Sequence, residues 1–208
     1  MSSIKQRAVS SEQKQQRISQ ILNAAANRFS HQDYIDIRLV DIASDVGITK
    51  AALYRYFRTK ETLFLALYEQ QLSLLGERAK DALASEALVP ALTKAILSVP
   101  LYSKLTAILH TILERNLTVE EAVNFKQLMI MRMSGLVDSL APHLDLSRDT
   151  VVQRLLMLHQ CIIGAWANCH PSVVVQEAFV KHQELTVFDL SYQAMLNLHI
   201  SSLFNIET

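Results

Sequence analysis

The stretch IASDVGITKAALYRYF, residues 42–57, decides the fold of this chain because its positions match the needs of a helix-turn-helix corner. Its apolar residues recur at spacings that place them inside the corner between two short helices: Ile42, Val46, Ile48 and Leu53. Gly47 stands where the chain must turn sharply, a position that glycine fills at the least steric cost. Thr49 can cap the second helix with its hydroxyl. The stretch therefore predicts a helix-turn-helix.

The second helix of this corner has an inner and an outer side. Leu53 and Phe57 are four residues apart and point inward. The outer side is shared by Lys50, Ala51, Tyr54 and Arg55. A small alanine lets this surface enter a major groove, while basic groups and tyrosine hydroxyls can donate to phosphates or base edges. Thr59 is expected to cap the following helix, which would place Lys60 near a backbone phosphate.

A longer stretch, DIASDVGITKAALYRYFRTKETLFLALYE at residues 41–69, resembles the helix-turn-helix signature of TetR-family transcriptional regulators. Upstream, ILNAAANRF at residues 21–29 resembles the helix that precedes this signature in the family. The resemblance implies an all-α homodimer with an N-terminal three-helix DNA-binding domain and a C-terminal helical domain for dimerisation and effector binding. At the matching positions, the implied DNA contacts are Thr49, Lys50, Ala51, Tyr54, Arg55, Tyr56 and Lys60.

The sequence departs from the family pattern between residues 31 and 39. The family usually has glycine before the aromatic residue that follows the first helix, whereas Asp33 precedes Tyr34 here. The family usually caps the next helix with serine or threonine, whereas position 38 is arginine. Either Asp36 caps that helix, or Arg38 reaches a phosphate at its start. Arg38 is therefore a further candidate DNA contact.

The chain has 20 basic and 20 acidic residues, but this neutral balance is unevenly spread. Residues 1–60 hold ten basic and five acidic side chains, so the remainder carries a net charge of −5. A basic module that meets a polyanion would explain the asymmetry. We expect a DNA-binding domain at 1–60, with a basic tail at about 1–10, and an effector-binding and dimerisation domain at 61–208. Three basic residues either enter a minor groove or belong to a disordered tail: Lys5, Arg7 and Lys14.

The predicted compartment is the cytoplasm. The N-terminus lacks the apolar stretch of a secretory signal, and no run approaches the roughly 18 apolar residues of a membrane span, so no membrane partner is expected. Cys161 and Cys169 lie on one predicted helix, roughly 12 Å apart along its axis, which is too far for a mutual disulfide. We expect two buried thiols in a reducing compartment.

Glycine and proline number four each, and alternating strand patterns are scarce, so the chain is predicted to be almost entirely helical. The first helices are expected at about Ser11–Ser30, Leu39–Val46, Lys50–Phe57 and Lys60–Leu83. A capping box at Thr118 and a cap at Ser147 open two later helices, and Thr186 with Asp189 is expected to open the last. Further helices with less defined ends are expected at Val89–Leu97, Tyr102–Leu117 and Val173–His182.

The C-terminal part carries no motif of comparable specificity. A regulator of this kind needs a cavity lined by apolar groups with a few polar ones. The candidate lining residues are His110, Glu114, Phe125, Met129, Arg132, Met133 and His159. For each of these, structural core is the alternative. The histidines lack metal-ligand spacing, so no metal and no cofactor are expected.

Two apolar stripes on the last long helices predict the dimer interface. The first consists of Leu155, Leu158, Ile162 and Trp166, and the second of Phe188, Tyr192, Met195 and His199. The whole chain is then predicted to be a ligand-responsive transcriptional regulator, most often a repressor in this family. Two such recognition helices would meet a pseudo-palindromic operator, and a partly apolar effector would release the dimer.

Two other classes of protein are kept as alternatives. One is a helical lipid- or protein-binding module, in which the basic N-terminal domain would be incidental. The other is a helical enzyme, which would need a nucleophile–base pair or a metal constellation. The sequence offers neither arrangement, so no catalytic residue is predicted.

Overall fold

The computed structural model describes the backbone of residues 2–205 and the side chains of residues 12–205. Within that part of the chain every regular element is helical, as the sequence predicts. The chain divides into two compact units, Met1–Leu67 and Tyr68–Thr208. The division falls within the fourth helix and not at its first residue, where the sequence analysis places the domain boundary.

The N-terminal unit contains three helices and the beginning of a fourth: α1 (Ser2–His31), α2 (Leu39–Asp45), α3 (Lys50–Leu53) and α4 (Lys60–Leu83). α1 begins well before the predicted Ser11, because residues 2–10 contain no glycine or proline to stop a helix. The side chains of Lys5 and Arg7 lie outside the described residues, and so does the expectation that they enter a minor groove. Lys14 is exposed on α1.

The helices of this unit share one apolar core. Ile42 of α2 and Leu53 of α3 are fully buried. Phe64 of α4 is also fully buried, and its ring packs edge-on against Phe29 and Tyr34 at centroid distances of 5.4 and 4.9 Å. Helices as short as α2 and α3 are not stable alone in water. Tertiary packing around this core therefore holds the corner that they form.

The C-terminal unit contains the rest of α4 and six further helices: α5 (Leu88–Ser98), α6 (Pro100–Ile108), α7 (Val119–Leu140), α8 (Arg148–Cys169), α9 (Val173–Lys181) and α10 (Tyr192–Phe204). α8 packs against α6, α7 and α10, and α10 also packs against α5. The Thr93 hydroxyl donates to Asn197 Oδ1 at 2.6 Å, and the Tyr192 hydroxyl donates to Ser103 Oγ at 2.8 Å. These two hydrogen bonds join α10 to α5 and α6.

Two of the predicted helix caps in this unit are confirmed. Thr118 Oγ1 accepts from the N–H of Glu121, whose carboxylate accepts from the N–H of Thr118, so the capping box that opens α7 is complete. Ser147 Oγ accepts from the N–H of Thr150 at 3.2 Å and caps α8. Both helices begin where the sequence predicts.

The predicted beginning of the last helix is wrong. Thr186 lies in a 3-10 turn, Gln183–Phe188, and its hydroxyl donates to the carbonyl oxygen of Gln183 at 2.7 Å. α10 is opened instead by Ser191, whose Oγ accepts from the N–H of Ala194. Because the 3-10 turn ends before α10 begins, Thr186 is too far along the chain from the first turn of α10 to cap it.

The first apolar stripe predicted for dimerisation is not available at the surface. Leu155, Leu158 and Ile162 are buried within the chain, because α8 packs on three neighbouring helices. In the second stripe, Phe188 is exposed but lies in the 3-10 turn and not on the last helix. The remaining predicted interface residues are half-buried: Trp166, Tyr192, Met195 and His199.

Among the described residues, no single helix has both the length and the apolar character to cross a membrane. One bent pair, Leu88–Ser98 with Pro100–Leu113, passes that test by length and composition only.

Candidate DNA-binding surface and effector cavity

The corner between α2 and α3 has the geometry that its sequence predicts. Gly47 has a φ of +66°, in the left-handed region that glycine adopts at the least cost. The N–H of Ile48 donates to the carbonyl oxygen of Ala43 at 2.9 Å and closes the turn. Thr49 Oγ1 accepts from the N–H of Ala52 at 3.1 Å, so Thr49 caps α3. The predicted helix-turn-helix is confirmed.

The outer side of α3 presents polar side chains to solvent. Leu53 and Phe57 are buried, whereas the residues predicted to face outward are exposed. Those residues are Lys50, Ala51, Tyr54 and Arg55. α3 ends at Leu53, and the chain continues as hydrogen-bonded turns in which the N–H of Tyr56 donates to Leu53. The predicted helix end at Phe57 is therefore too late, although the predicted inner and outer sides are kept. Tyr56 is half-buried.

A surface hollow of about 440 Å³ gathers basic groups from different elements of this unit. Its walls include Arg38, Lys50, Tyr54, Arg58, Thr59 and Lys60. Arg58 is the basic wall residue with no predicted role in DNA binding. Its position directly before the Thr59 cap of α4 is the signal that could have indicated one. The hollow offers a surface on which several cations can meet one anionic group.

Arg38 occupies the N-cap position of α2, and its side chain makes no capping hydrogen bond. The alternative in which Asp36 caps α2 is wrong, because Asp36 belongs to the preceding 3-10 turn, Tyr34–Asp36. The Arg38 guanidinium instead donates to both carboxylate oxygens of Asp41, at 2.9 and 3.0 Å. This ion pair is well exposed, so it leaves Arg38 accessible to a phosphate.

Lys60, a predicted phosphate contact, also makes contacts within the chain. Its ammonium donates to the carbonyl oxygen of Tyr34 and lies 4.0 Å from the centroid of the Tyr34 ring. Burial lowers the pKa of this amine, although the nearby carboxylates of Glu61 and Asp36 oppose that effect. The physical reason is the turn at Tyr34–Asp36, which carries both the carbonyl and the ring to the first turn of α4. Lys60 is thus half-buried and not a fully solvated cation.

An ion pair between α1 and α2 supports the corner, and the sequence analysis missed it. Arg28 Nε and Nη2 donate to the two carboxylate oxygens of Asp45 at 2.6 and 2.8 Å. The hydrogen bonds that Arg28 donates to Asp45 raise the pKa of the guanidinium. Arg17 Nη1 donates to the carbonyl oxygen of Val46 at 3.2 Å. Both arginines bind the end of α2, directly before Gly47.

A cavity of about 440 Å³ lies in the C-terminal unit, within the size range of small-molecule sites. The apolar part of its wall includes Leu72, Leu75, Leu92, Ile96, Met133 and Ile162. The polar part consists of Tyr68, Tyr102, His110, Lys126, Arg132, His159 and Gln160. Apolar wall residues outnumber polar ones, as is usual for sites that bind small organic molecules.

A cluster of ionisable side chains stands at this cavity. After α6 the chain forms a π-helical turn, Leu109–Leu113, in which the N–H of Glu114 donates to Leu109. His110 Nδ1 lies 3.0 Å from Glu114 Oε2, and Lys126 Nζ donates to Glu114 Oε1 at 2.5 Å. His110 Nε2 lies 3.3 Å from His159 Nε2, although the two residues are 49 positions apart. We refer to these four residues as the cavity cluster.

The protonation of the cavity cluster follows from burial and charge. Burial lowers the pKa of His159 to about 4, and the nearby His110 and Lys126 act in the same direction. His159 is therefore neutral near pH 7. Burial alone would raise the pKa of Glu114, but hydrogen bonds from Lys126 and His110 outweigh it and hold that pKa below its usual value. Glu114 is therefore an anion bound by two donors.

The structure brings together five of the seven predicted lining residues around this one cavity: His110, Met129, Arg132, Met133 and His159. Glu114 stands behind His110 in the cavity cluster. Phe125 is buried against Tyr68, with ring centroids 5.9 Å apart, and does not line the cavity. Sequence reasoning missed Tyr68, Tyr102 and Lys126, because their spacing along the chain carries no sign that they converge.

Tyr68 is a polar wall residue whose hydroxyl is buried without a hydrogen-bond partner. Its side chain as a whole is fully buried. The hydroxyls of Tyr102 and Thr106 lie close enough to influence its pKa, yet neither stands in hydrogen-bonding geometry. Burial raises the pKa of Tyr68 well above its usual value, so the phenol stays neutral and can donate. A buried hydroxyl without a partner commonly marks a missing ligand or water.

No group of three or more histidine, cysteine, aspartate or glutamate side chains in the described part of the chain is arranged to hold a metal ion. The cavity cluster contributes only two histidine nitrogens that face each other. A protein site for zinc normally needs three or four ligands.

An N-terminal unit with a helix-turn-helix and an exposed basic side, followed in the chain by a helical unit with a cavity, defines a ligand-responsive DNA-binding transcriptional regulator. Two family descriptions match the chain: "Bacterial regulatory proteins, tetR family" over residues 21–67, and "Tetracyclin repressor-like, C-terminal domain" over residues 65–204. The second match alone covers more than half of the chain. The chain belongs to the TetR family, as its sequence signature implies.

Solved structures agree with this fold. The fatty acid degradation regulator FadR from Bacillus halodurans is 14% identical, with a TM-score of 0.58 over 90% of this chain and 94% of that chain. FadR from Bacillus subtilis in complex with stearoyl-CoA is 15% identical, with a TM-score of 0.55 over 91% of this chain and 99% of that chain. A TetR transcriptional regulator from Rhodococcus sp. RHA1 is 17% identical, with a TM-score of 0.56 over 95% of this chain and 99% of that chain. No curated protein matches the chain.

Proposed function

We propose that this regulator is a repressor that binds a pseudo-palindromic operator as a homodimer and leaves it when a small molecule fills the C-terminal cavity. The domain boundary for this function is near residue 60, with DNA binding at 1–60 and effector binding and dimerisation at 61–208. The proposed site of action is the cytoplasm, and no catalytic step is part of the proposal. The observation that carries it is the exposed polar side of α3 above a buried Leu53.

The proposed DNA contacts fall into two groups. Lys50, Ala51 and Arg55 would enter the major groove, where a guanidinium reads guanine and a small alanine leaves room for the approach. The others would hold the DNA backbone and set the register of α3: Arg38, Thr49, Tyr54, Tyr56 and Lys60. Two such surfaces on a two-fold dimer would meet half-sites about 34 Å apart.

The proposed dimer surface differs from the predicted one on α8. Because Leu155, Leu158 and Ile162 are buried within one chain, we assign dimerisation to the exposed sides of α8 and α10. Met157 on α8 and Leu198 on α10 are exposed apolar residues that a partner would cover. Trp166, Tyr192, Met195 and His199 remain proposed as half-buried residues at its border.

The proposed effector acts by coupling the cavity to the spacing of the two recognition helices. A ligand that prefers a dimer with the wrong spacing shifts the population away from the operator. A coupling of about 1–3 kcal/mol would lower operator affinity about 5- to 150-fold. The Bacillus subtilis FadR structure contains a stearoyl-CoA, and the largely apolar cavity of this chain is consistent with an effector that carries an apolar chain.

A gel-shift titration with the DNA upstream of the protein's own gene tests the proposal. We expect a salt-sensitive complex that prefers particular sequences, with a stoichiometry of one dimer per pseudo-palindrome. Arg55→Ala should reduce discrimination between operator variants by about 1–3 kcal/mol. Arg78→Ala, an exposed arginine on the C-terminal half of α4, is the matched control and should bind like the unchanged protein. If Arg55→Ala leaves discrimination intact, the assigned DNA-binding side is wrong.

Lys60→Ala gives a second test of the same surface. If its ammonium contacts a phosphate, all sequences should bind more weakly and the salt slope should fall by about one. If Lys60 only holds the Tyr34 turn, the melting temperature should fall while the salt slope stays the same. The two readouts therefore distinguish a DNA contact from a structural role.

A further inference from the structure

The cavity is chemically asymmetric, and the asymmetry indicates the class of ligand. Along α4, Tyr68 and Ala79 both contribute to its wall and stand roughly 16 Å apart along the helix axis. Between them the wall is apolar, with Leu75 and the facing Ile162 both buried. Polar groups gather near Tyr68, whose ring centroid lies 5.6 Å from that of Tyr102 and 5.9 Å from that of Phe125, the residue before Lys126. A ligand that fits this wall has an apolar body and one polar end.

The polar end has more unused donors than unused acceptors. Both carboxylate oxygens of Glu114 are already engaged, one by Lys126 and the other by His110. An ammonium has three N–H groups, so Lys126 retains donors beyond the one given to Glu114. The buried Tyr68 hydroxyl has no partner at all. A ligand group that accepts hydrogen bonds would satisfy these donors, whereas a cationic group would add further donors to the same place.

The cavity cluster can accommodate a single negative charge, because Lys126 can exchange one carboxylate partner for another. Lys126 and Glu114 compensate each other, and His159 is neutral because it is buried. Arg132 also lines the cavity, and its Nη2 lies 3.6 Å from Glu69 Oε1, so its charge already has a partner. One anionic oxygen pair can take Lys126 as its partner, with the Tyr68 hydroxyl as a neutral donor. A dianion would leave part of its charge without a partner beside the buried Tyr68.

We propose that the cavity binds an unbranched aliphatic monocarboxylate, with its carboxylate held by Lys126 and Tyr68 and its chain extended along α4. This assignment rests on the proposed function, because it identifies the effector of that same cavity. Lys126 changes partner from Glu114 to the ligand, and His110 keeps Glu114 bound. Each methylene that enters the apolar part then adds about fourfold in affinity.

Isothermal titration calorimetry on the full-length protein tests the ligand class with three probes of equal length: decanoate, 1-decanol and decylamine. We expect decanoate to bind at least tenfold more tightly than 1-decanol, and decylamine to bind most weakly. Octanoate should bind about 15-fold more weakly than decanoate, because it has two methylenes fewer. Equal or tighter binding of 1-decanol or decylamine would overturn the proposal, and so would the absence of decanoate binding.

Two variants with opposite expected effects test the role of the charges. Lys126→Met should weaken decanoate about tenfold and leave 1-decanol unchanged, whereas Glu114→Gln should strengthen decanoate because it removes the competing anion. Lys94→Met is the matched control, since Lys94 also binds a glutamate, Glu86, at 2.5 Å but does not line the cavity. If Glu114→Gln weakens decanoate, or if Lys94→Met matches Lys126→Met, the assignment is wrong.

The same preparations separate this inference from the proposed function. If decanoate binds as expected but no upstream DNA is bound, the operator hypothesis fails while the ligand site stands. If the protein binds its operator and decanoate does not bind, the carboxylate assignment fails while the regulator hypothesis stands. Where both bind, decanoate should release operator DNA in the gel shift, and Lys126→Met should require about tenfold more decanoate for the same release. Release that is unaffected by Lys126→Met would contradict the assignment.

Discussion

The helix-turn-helix corner and the C-terminal cavity differ in how far apart along the chain their parts lie. The corner is built from residues 42–57, and its turn, cap and inner side are all set by near neighbours. The cavity takes its walls from residues between Tyr68 and Ile162, on α4 to α8. A further difference is that buried side chains fill the core around the corner, whereas the side chains around the cavity leave about 440 Å³ between them. The two regions should therefore respond differently to the same substitution.

Leucine-to-alanine changes at Leu53 and Leu92 compare the two regions most directly. Leu53 is fully buried in the filled corner, and Leu92 is buried in the cavity wall. We expect Leu53→Ala to cost about 3 kcal/mol and Leu92→Ala about 2 kcal/mol, because a side chain next to a void has fewer contacts to lose. Native-state hydrogen exchange on peptides from each unit measures both values separately.

The exposed Leu190, directly before the Ser191 cap of α10, provides the control for this pair. Leu190→Ala should change the exchange free energies by less than about 0.5 kcal/mol. A larger cost at Leu92 than at Leu53 would mean that ligand or water fills the cavity in solution and restores the missing contacts. The cavity would then have to be described as filled in solution.

This difference in distance along the chain also explains how much could be predicted from the sequence. Gly47, Thr49 and Leu53 were assigned correctly because turn, cap and inner side are local properties of a few residues. The burial of Leu155 could not be predicted, since an apolar stripe fits a core and an interface equally well. The 3.3 Å approach of His110 to His159 depends on the π-helical turn and on the packing of α8, and no spacing in the sequence encodes it.

The pH dependence of stability tests whether the cavity cluster is buried as described. The pKa of His159 is about 4 in the folded chain, below the usual value of about 6.5 in an unfolded one. Between these values the unfolded chain binds the proton first, so stability is present near pH 7 and is lost as the pH falls from 6.5 towards 4. We expect the unchanged protein to lose about 1–2 kcal/mol between pH 7 and pH 5 from this residue.

Urea titrations followed by the fluorescence of Trp166, the single tryptophan, measure this loss in the C-terminal unit. His159→Gln is the reference, because glutamine remains neutral throughout the range and keeps a polar side chain at the site. The unchanged protein should lose more stability than His159→Gln between pH 7 and pH 5. Parallel losses would show that His159 is solvated, and the cavity would then be open to water along its polar side.

Glycine-to-alanine changes give the smallest effects but opposite signs in the two regions. Gly47 has a φ of +66°, and an added Cβ would meet no atom within 4 Å, so the whole penalty of Gly47→Ala is conformational, about 1 kcal/mol. Gly76 lies inside α4 at the cavity wall and also has open space around its Cβ position. Gly76→Ala should therefore stabilise α4 by up to about 1 kcal/mol, since alanine is the better helix former.

Hydrogen exchange of peptides that cover the corner and α4 reads both effects in one experiment. Destabilisation by both substitutions would mean that the space beside Gly76 is occupied in solution, and a bound molecule in the cavity would explain it. Stabilisation by both would mean that the turn at Gly47 can relax, because an alanine held at a φ of +66° cannot be favourable. The sign of the Gly76 effect thus reports on the cavity, and the sign of the Gly47 effect reports on the rigidity of the corner that positions α3.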